Sequence, residues 1–307
     1  MLLQKEEIDS YVTRFEDWSL LPKTPMVTVQ ISIFNHEKYI RKTFESILMQ
    51  KVSFEYEILI KEDKSTDNTR EIVLEFQQKY PDKFRIWAAK KNLHNQGVKL
   101  GLVRFARGKY LAKLDGDDYW TDSLKLQKQF NFMQKNKGCS LVFHLANCIN
   151  TENKVIGVHG PKSRLDQCFF DINDAILKCD TLVPTNSMFY ETNHLKNLPN
   201  WLLKAPVGDL PLTLLLAHHG KLGFINELMS NYRVMTQSSW SNKMLQSSTK
   251  RKIHDQKIKI MWIEFDAWSN FSYSKLIRKV LILTNYRILK RELKIKCSSF
   301  FNNIKKY

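Results

Sequence analysis

Long apolar runs are missing from this 307-residue chain. No uninterrupted stretch approaches the roughly 18 residues a membrane-spanning helix needs, which argues against a helical membrane protein. The first residues, Met1-Leu2-Leu3-Gln4-Lys5-Glu6-Glu7, lack the positive-then-apolar order of a secretory signal. Cysteine is scarce: five residues (139, 148, 168, 179 and 297), odd in number, with no C-x-x-C pair. That usage predicts buried, inert, reduced thiols in a cytoplasmic protein, and it argues against a structural zinc site. Proline and glycine are absent from 245 to 307, so this segment is expected to be wholly helical. Carboxylates are few there as well. From Asn242 onward 16 Lys and Arg stand against 4 Asp and Glu, a balance of +12 out of the chain's +17. The excess positive charge is a property of the tail.

What is present reads as a globular chain, 43% hydrophobic and 26% charged, long enough for one large domain with appendages. After the proline-punctuated lead-in of residues 1–25, Val27 to Phe34 alternates and is β-branched, as a strand requires. Asn35 is placed to cap a helix whose apolar positions are Ile40, Phe44, Ile47 and Leu48. Tyr56 to Ile60 is the second strand. Asn68 with Glu71 resembles a capping box for the next helix, which Pro81 closes. Phe84 to Ala88, a helix from Val98 to Arg107, and the strand Lys109 to Leu114 continue the alternation. A helix around Leu124 to Asn131 and a strand from Ser140 to Ile149 follow. Strands alternating with helices across short links predict a parallel sheet covered by helices. Five prolines punctuate 151–240, within which Asp209 to His219 reads as a helix and Leu222 to Val234 as one or two strands.

The strand ending at Leu114 runs into Asp115-Gly116-Asp117-Asp118-Tyr119-Trp120. Three carboxylates thus arrive together at the C-terminal end of a strand, where open α/β sheets place their ligands. Charges so close repel unless a cation or hydrogen-bond donors compensate. Mg²⁺ or Mn²⁺ shared with diphosphate oxygens suits one or two carboxylates of this kind.

Four pieces now stand in order: Val29 to Ile40 with its Phe34-Asn35-His36-Glu37, then Glu62-Asp63-Lys64-Ser65-Thr66-Asp67-Asn68-Thr69, then Gly108 to Trp120, then Gly208-Asp209. Together they resemble the family 2 nucleotide-sugar glycosyltransferases, most fully over 27–150, through 151–240, and not in the tail. The resemblance implies a GT-A fold, α/β and Rossmann-like, with a mostly parallel sheet, and inverting sugar transfer of the kind used in bacterial surface glycans. It divides the chain into a lead-in (1–25), a nucleotide-sugar-binding half (26–150), an acceptor-binding half (151–241) and a basic helical extension (242–307). It implies that Ser32 and Phe34 touch the nucleotide, that Asp63 reads the base edge, and that Asp115 faces the ribose. Asp117 would bind the metal, Mn²⁺ or Mg²⁺, and Asp118 would lie against the sugar or support the turn. Asp209 matches the general base, and Pro184-Thr185-Asn186-Ser187-Met188 the loop facing donor and acceptor. The implied partners are a nucleoside-diphosphate sugar, UDP-linked by preference, and a glycan or lipid-linked acceptor.

Two positions depart from the pattern. Met235 stands in Tyr232-Arg233-Val234-Met235 where a histidine often completes the metal's shell, and a thioether is a poor ligand for a hard cation. Lys64 replaces a common glycine, which makes a left-handed turn there less expected. The rival enzyme, a sugar-1-phosphate nucleotidyltransferase, calls for a glycine- and basic-rich loop after the first strand, and Asn35-His36-Glu37-Lys38 is not one. The non-enzymatic rival is a basic membrane- or nucleic-acid-binding protein with a degenerate transferase domain. Adjacent His218 and His219 point about 100° apart on a helix, which favours a helix-end role over metal binding. Trp240 either stacks on a sugar or anchors the tail. In the tail, Ile258, Met261, Trp262, Phe265 and Trp268 make one stripe; Leu276, Ile277, Val280, Leu281 and Leu283 make another. Three readings of it stay open: helices packed on the domain, attachment to an anionic membrane surface at the inner face of the cell membrane, and nucleic-acid binding. No recognition motif accompanies the last, so no specific nucleic acid is expected.

Overall fold

Four buried strands run parallel at the centre of the computed structural model, which describes residues 9–92, 102–162, 166, 168–234 and 247–304. They are β2 (Val27–Ile33), β3 (Tyr56–Glu62), β4 (Phe84–Ala89) and β5 (Tyr110–Asp115), in the spatial order β4-β3-β2-β5. These strands are buried on both faces, so their polar members, Thr28, Gln30, Glu57, Lys61 and Arg85, are buried along with the apolar ones. Beyond β5 the sheet becomes mixed. β10 (Phe189–Glu191) lies antiparallel between β5 and β7 (Cys139–Ile149), and β11 (Lys221–Arg233) runs parallel to β7. β6 (Tyr119–Trp120) pairs with β11, as does β9 (Phe169–Phe170), and β8 (Val155–His159) pairs with β7. The lead-in also contributes: β1 (Val12–Phe15) adds antiparallel to β4. Nothing in its mixed composition signals this strand, which is held by partners from 86–89.

Side chains alternate between the two faces, and so do two cores. Tyr110, Ala112, Val142 and Phe189 pack with α1 (Ile40–Leu48), α2 (Thr69–Lys79) and α3 (Lys125–Lys135). Leu111, Leu141, Phe143 and Tyr190 pack on the other face. There they meet α4 (Ile172–Lys178), α5 (Asn200–Lys204), α6 (Asp209–His219), α7 (Ser248–Trp268) and α8 (Ser274–Ile304). The C-terminal helices therefore share the core of the preceding segment. Met261, Trp262 and Phe265 of α7, and Ile277 and Val280 of α8, are buried in it, and Trp201 of α5 meets the rings of Phe265 and Trp268 at 5.0 and 5.6 Å. At the end of α6, His218 lies against Trp268 and faces the Tyr273 hydroxyl at 3.2 Å, while His219 stacks on His194. Among the described residues no helix is long and apolar enough to cross a membrane.

Several local expectations change. The helix expected over 98–107 is, where described, only a 3₁₀ turn at Leu102–Phe105. Asn35 does not cap α1, whose N-cap is Tyr39; it adopts a left-handed conformation and accepts from Thr66 N. The Asn68–Glu71 capping box does not form. Asp67 takes the Thr69 N–H, and Glu37 from the neighbouring loop takes that of Asn68. Lys64 does make the left-handed turn, at φ 60°. Cys168 is exposed rather than buried, and Leu283 faces outward. Met235 and Trp240 lie outside the described residues, as does the side chain of Cys297.

Candidate active site

Register brings the first residues together. Ser32 of β2 pairs with Asp115 of β5, and Asp63 N donates to Ile33 O at 3.0 Å just beyond the ends of β2 and β3. Asp63 is buried, and its Oδ2 stands 3.1 Å from Nζ of Lys61, two residues back on the same strand face and also buried. Sequence reasoning overlooked this lysine. Its signal was a cation directly after the apolar run 58–60, since a lysine is rarely buried without a partner.

Two loops wall this end of the sheet. Asn35 N donates to Ser65 Oγ, His36 N to Thr69 Oγ1, Glu37 N to Asp67 Oδ2, and Asn68 N to Glu37 Oε2. Beneath them Glu62 is fully buried, accepting from Ser65 N and paired with Arg70. Exchange of hydrogen bonds across some thirty residues fixes the two loops as one surface.

The acidic turn is built just as closely. Asp118 N donates to Asp115 O, and Thr43 Oγ1 reaches the carbonyls of both Gly116 and Asp118. A side chain at Gly116 would put its Cβ 2.5 Å from His36 Nδ1, so only glycine lets the histidine approach. His36 Nε2 then lies 4.0 Å from Asp117 Oδ2. Burial raises the Asp117 carboxyl above its ordinary range; His36 opposes this and Asp115 adds to it. Asp118 is almost completely buried and accepts from Arg233 N at 2.7 Å. Burial, with the charges of Asp117 and Asp115, pushes its carboxyl well up. Arg233 also donates from Nε to Asp117 O and from its other nitrogens to Asn150 O and Asn153 Oδ1, with its guanidinium over the Tyr39 ring. An open basic cleft lined by Lys38, Tyr39, Lys42, Thr151, Asn153 and Arg233 adjoins the turn.

Asp209 enters from the other half, as the first residue of α6. Its Oδ2 accepts from Thr185 Oγ1 at 3.2 Å and its Oδ1 from Leu210 N at 2.9 Å. The 184–188 loop is anchored through fully buried Asn186. Its Nδ2 donates to Asn231 O, its Oδ1 accepts from Ser230 Oγ, and its carbonyl accepts from Trp120 Nε1. Strand β11 links the two acidic groups, since Arg233 N holds Asp118 while Ser230 and Asn231 hold the loop whose Thr185 bonds Asp209, and Tyr232 lies between these positions. Burial raises its phenol, and the charges of Asp118, Asp115, Asp209 and Asp117 each raise it further. Tyr232, His36 and Arg233 were all visible in sequence as motif residues, but only the packing gives them neighbours. Ser32 and Phe34 lie at the same strand end, half-buried.

A hard divalent cation fits this donor set. Asp117 is a carboxylate whose burial disfavours its charge, and a cation beside it removes that penalty. Among the described residues no three His, Cys, Asp or Glu side chains are grouped to hold a metal unaided, so remaining ligands would come from a bound diphosphate or water.

Known proteins share the family and the fold. The family model for glycosyl transferase family 2 matches residues 28–189. An uncharacterised protein of Mycobacterium tuberculosis is 30% identical over 219 residues, 70% of this chain and 60% of that one, so the chain spans about 60% of this relative's length. A Bacillus subtilis protein, assigned by name alone to teichuronic acid biosynthesis as the glycosyltransferase TuaG, is 27% identical over 71% of this chain and 83% of its own. Staphylococcus aureus TarS (residues 1–349), solved with UDP-GlcNAc, superposes with a TM-score of 0.59 at 15% identity, over 78% of this chain and 66% of that one. The mannosyltransferase PcManGT of Pyrobaculum calidifontis, solved with GDP-Man and Mn²⁺, gives 0.57 at 12% identity, over 88% and 75%. These two likenesses establish the fold. By the match of its family model over more than half its length, the chain belongs to glycosyl transferase family 2.

Proposed function

We propose that this chain moves a sugar from a nucleoside-diphosphate sugar, UDP-linked by preference, to a hydroxyl of a glycan or lipid-linked acceptor in polysaccharide synthesis, with inversion at the anomeric carbon. One observation carries the reading: β11 is tied to both acidic groups, through Arg233 N to Asp118 and through Ser230 and Asn231 to the 184–188 loop whose Thr185 bonds Asp209. The nucleotide sugars bound by the two structural neighbours and the biosynthetic role in TuaG's name support it.

In this reading Phe34 offers its ring to the base and Ser32 a hydroxyl to the nucleotide. Asp63, set in place by Lys61, accepts from a base N–H, and Asp115 faces the ribose. Asp117 would hold Mn²⁺ or Mg²⁺, which when bound supplies positive charge against the departing diphosphate. Buried Asp118 supports the turn through Arg233 N. Asp209 takes the proton of the acceptor hydroxyl as its oxygen attacks the anomeric carbon. The new C–O bond forms on the face opposite the diphosphate, which leaves with its electron pair. Thr185, tied down by Asn186, orients the base through one hydrogen bond to Oδ2.

A panel of nucleotide sugars with Mn²⁺, read as released nucleoside diphosphate and as thermal stabilisation, tests the proposal. One donor is expected to stabilise the protein and to be consumed faster when an acceptor glycan is added. If no nucleotide sugar binds or is consumed, the reading fails.

A further inference from the structure

The last helix leaves one face bare. Ile277 and Val280 turn α8 into the core, and Arg291 and Glu292 pair with Asp255 and Lys252 of α7. Opposite that side, Ile282, Tyr286, Leu289 and Leu293 are 68%, 61%, 56% and 54% exposed. Their spacing of four, three and four residues places them in one line along the helix, about 16 Å long. Solvent-facing residues at helical period are ordinary when polar; four large apolar ones in line are not.

Charge says what covers them. Lys275, Arg278, Lys279 and Lys290 lie on or beside the line, and among the described residues none is in an ion pair with a carboxylate. All four carboxylates of 242–307 are engaged elsewhere: Asp255 by Arg291, Glu264 by Lys204, Asp266 by Ser274 Oγ, and Glu292 by Lys252. The outward face thus carries four cations, an apolar line and no anion. A second copy would bring like charge against like charge, which disfavours self-pairing. A phosphate backbone alone gives the apolar line nothing to bury in. An anionic bilayer surface satisfies both, with apolar side chains entering the headgroup boundary and lysines and arginines meeting lipid phosphates.

We propose that the outward face of α8, centred on Ile282, Tyr286, Leu289 and Leu293, docks the folded protein on an anionic lipid surface. The helix lies in the interface and does not cross it. Because its other side is part of the core, attachment holds the whole domain at a fixed orientation, and membrane contact does not depend on sugar transfer.

Flotation of the full chain with vesicles tests this, comparing phosphatidylglycerol mixed into phosphatidylcholine with phosphatidylcholine alone, at low and high salt. Binding is expected only to the anionic vesicles and is expected to weaken with salt. Lys279→Gln with Lys290→Gln is expected to lower the partition roughly 25-fold, about fivefold per cation. Ile282→Ser with Leu289→Ser is expected to lower it by more than about tenfold. Both pairs alter exposed positions, so unchanged melting temperatures and nucleotide-sugar turnover in solution will show that fold and chemistry are intact. Absence of binding at low salt, equal binding to neutral vesicles, or full binding by the Ile282/Leu289 pair overturns the proposal. So does self-association that disappears in that pair, which would assign the face to a second copy.

Discussion

Gly116 shows how little freedom the acidic turn has. Alanine there would set its Cβ 2.5 Å from His36 Nδ1 and 3.2 Å from Ile33 Cγ1, so the turn and the histidine cannot both keep their places. Gly116→Ala is expected to cost about 1–3 kcal/mol in urea denaturation and to weaken nucleoside diphosphate binding. Gly138→Ala, where nothing lies within 4 Å, is the control and is expected to leave both unchanged. Lys125 gives a second residue-scale test. It is fully buried over the Trp120 ring, and burial holds its ammonium well below the usual lysine range. A base with a depressed folded pKa leaves the native state with fewer protons than the unfolded one. Stability therefore rises as pH climbs from the folded value toward the unfolded value near 10.4. Lys125→Met is expected to be more stable than the parent at pH 7, with the difference shrinking as pH rises. A difference independent of pH would contradict the assignment.

At the scale of elements, the C-terminal helices are structural members rather than attachments. Trp262→Ala is expected to cost about 3–5 kcal/mol by thermal or denaturant unfolding, because the ring is buried in the core shared by α5, α6 and α8. Removing the tail as a unit would uncover that core, so point changes on α8 are the cleaner probe of its outer face. Asn186→Ala strips two buried hydrogen-bond partners from β11 and is expected to cost about 2–4 kcal/mol, with a larger fall in turnover than in donor affinity. Elements with strong periodicity were legible in sequence. β2, β3 and α2 stand where Val, Ile and Leu spacing puts them, and β5 and α6 where short apolar runs do. The misses have local causes. β1 has no pattern of its own and exists through pairing with β4. The cap expected from Asn68 lost to Glu37, a residue thirty-one positions away that no local motif reveals. Leu283 looked like part of the buried stripe because a helical wheel does not say where the packed face ends.

Across the whole molecule, β11 ties together carboxylates from two regions of sequence. Asp115, Asp117 and Asp118 come from the end of β5, and Asp209 from the start of α6, ninety residues later. Strand position alone pointed to the first three, since ligands gather at the carboxyl ends of parallel strands. Asp209 was legible only by resemblance, because a carboxylate beginning a helix is common for electrostatic reasons unrelated to catalysis. Lys61 escaped notice altogether, and His36 and Arg233 stood in motifs without a role because their partners in the acidic turn lie far away in sequence. The division of labour between the two acidic groups is the central claim, and Asp209→Asn tests it most directly. The amide keeps the size and can still accept from Thr185 but cannot take the acceptor's proton. With a donor from the nucleotide-sugar panel, the account predicts turnover lower by roughly 10²-fold or more under chemistry-limited conditions, while donor affinity measured by calorimetry stays within about twofold. Near-normal turnover, or lost donor binding with the fold intact, would contradict it.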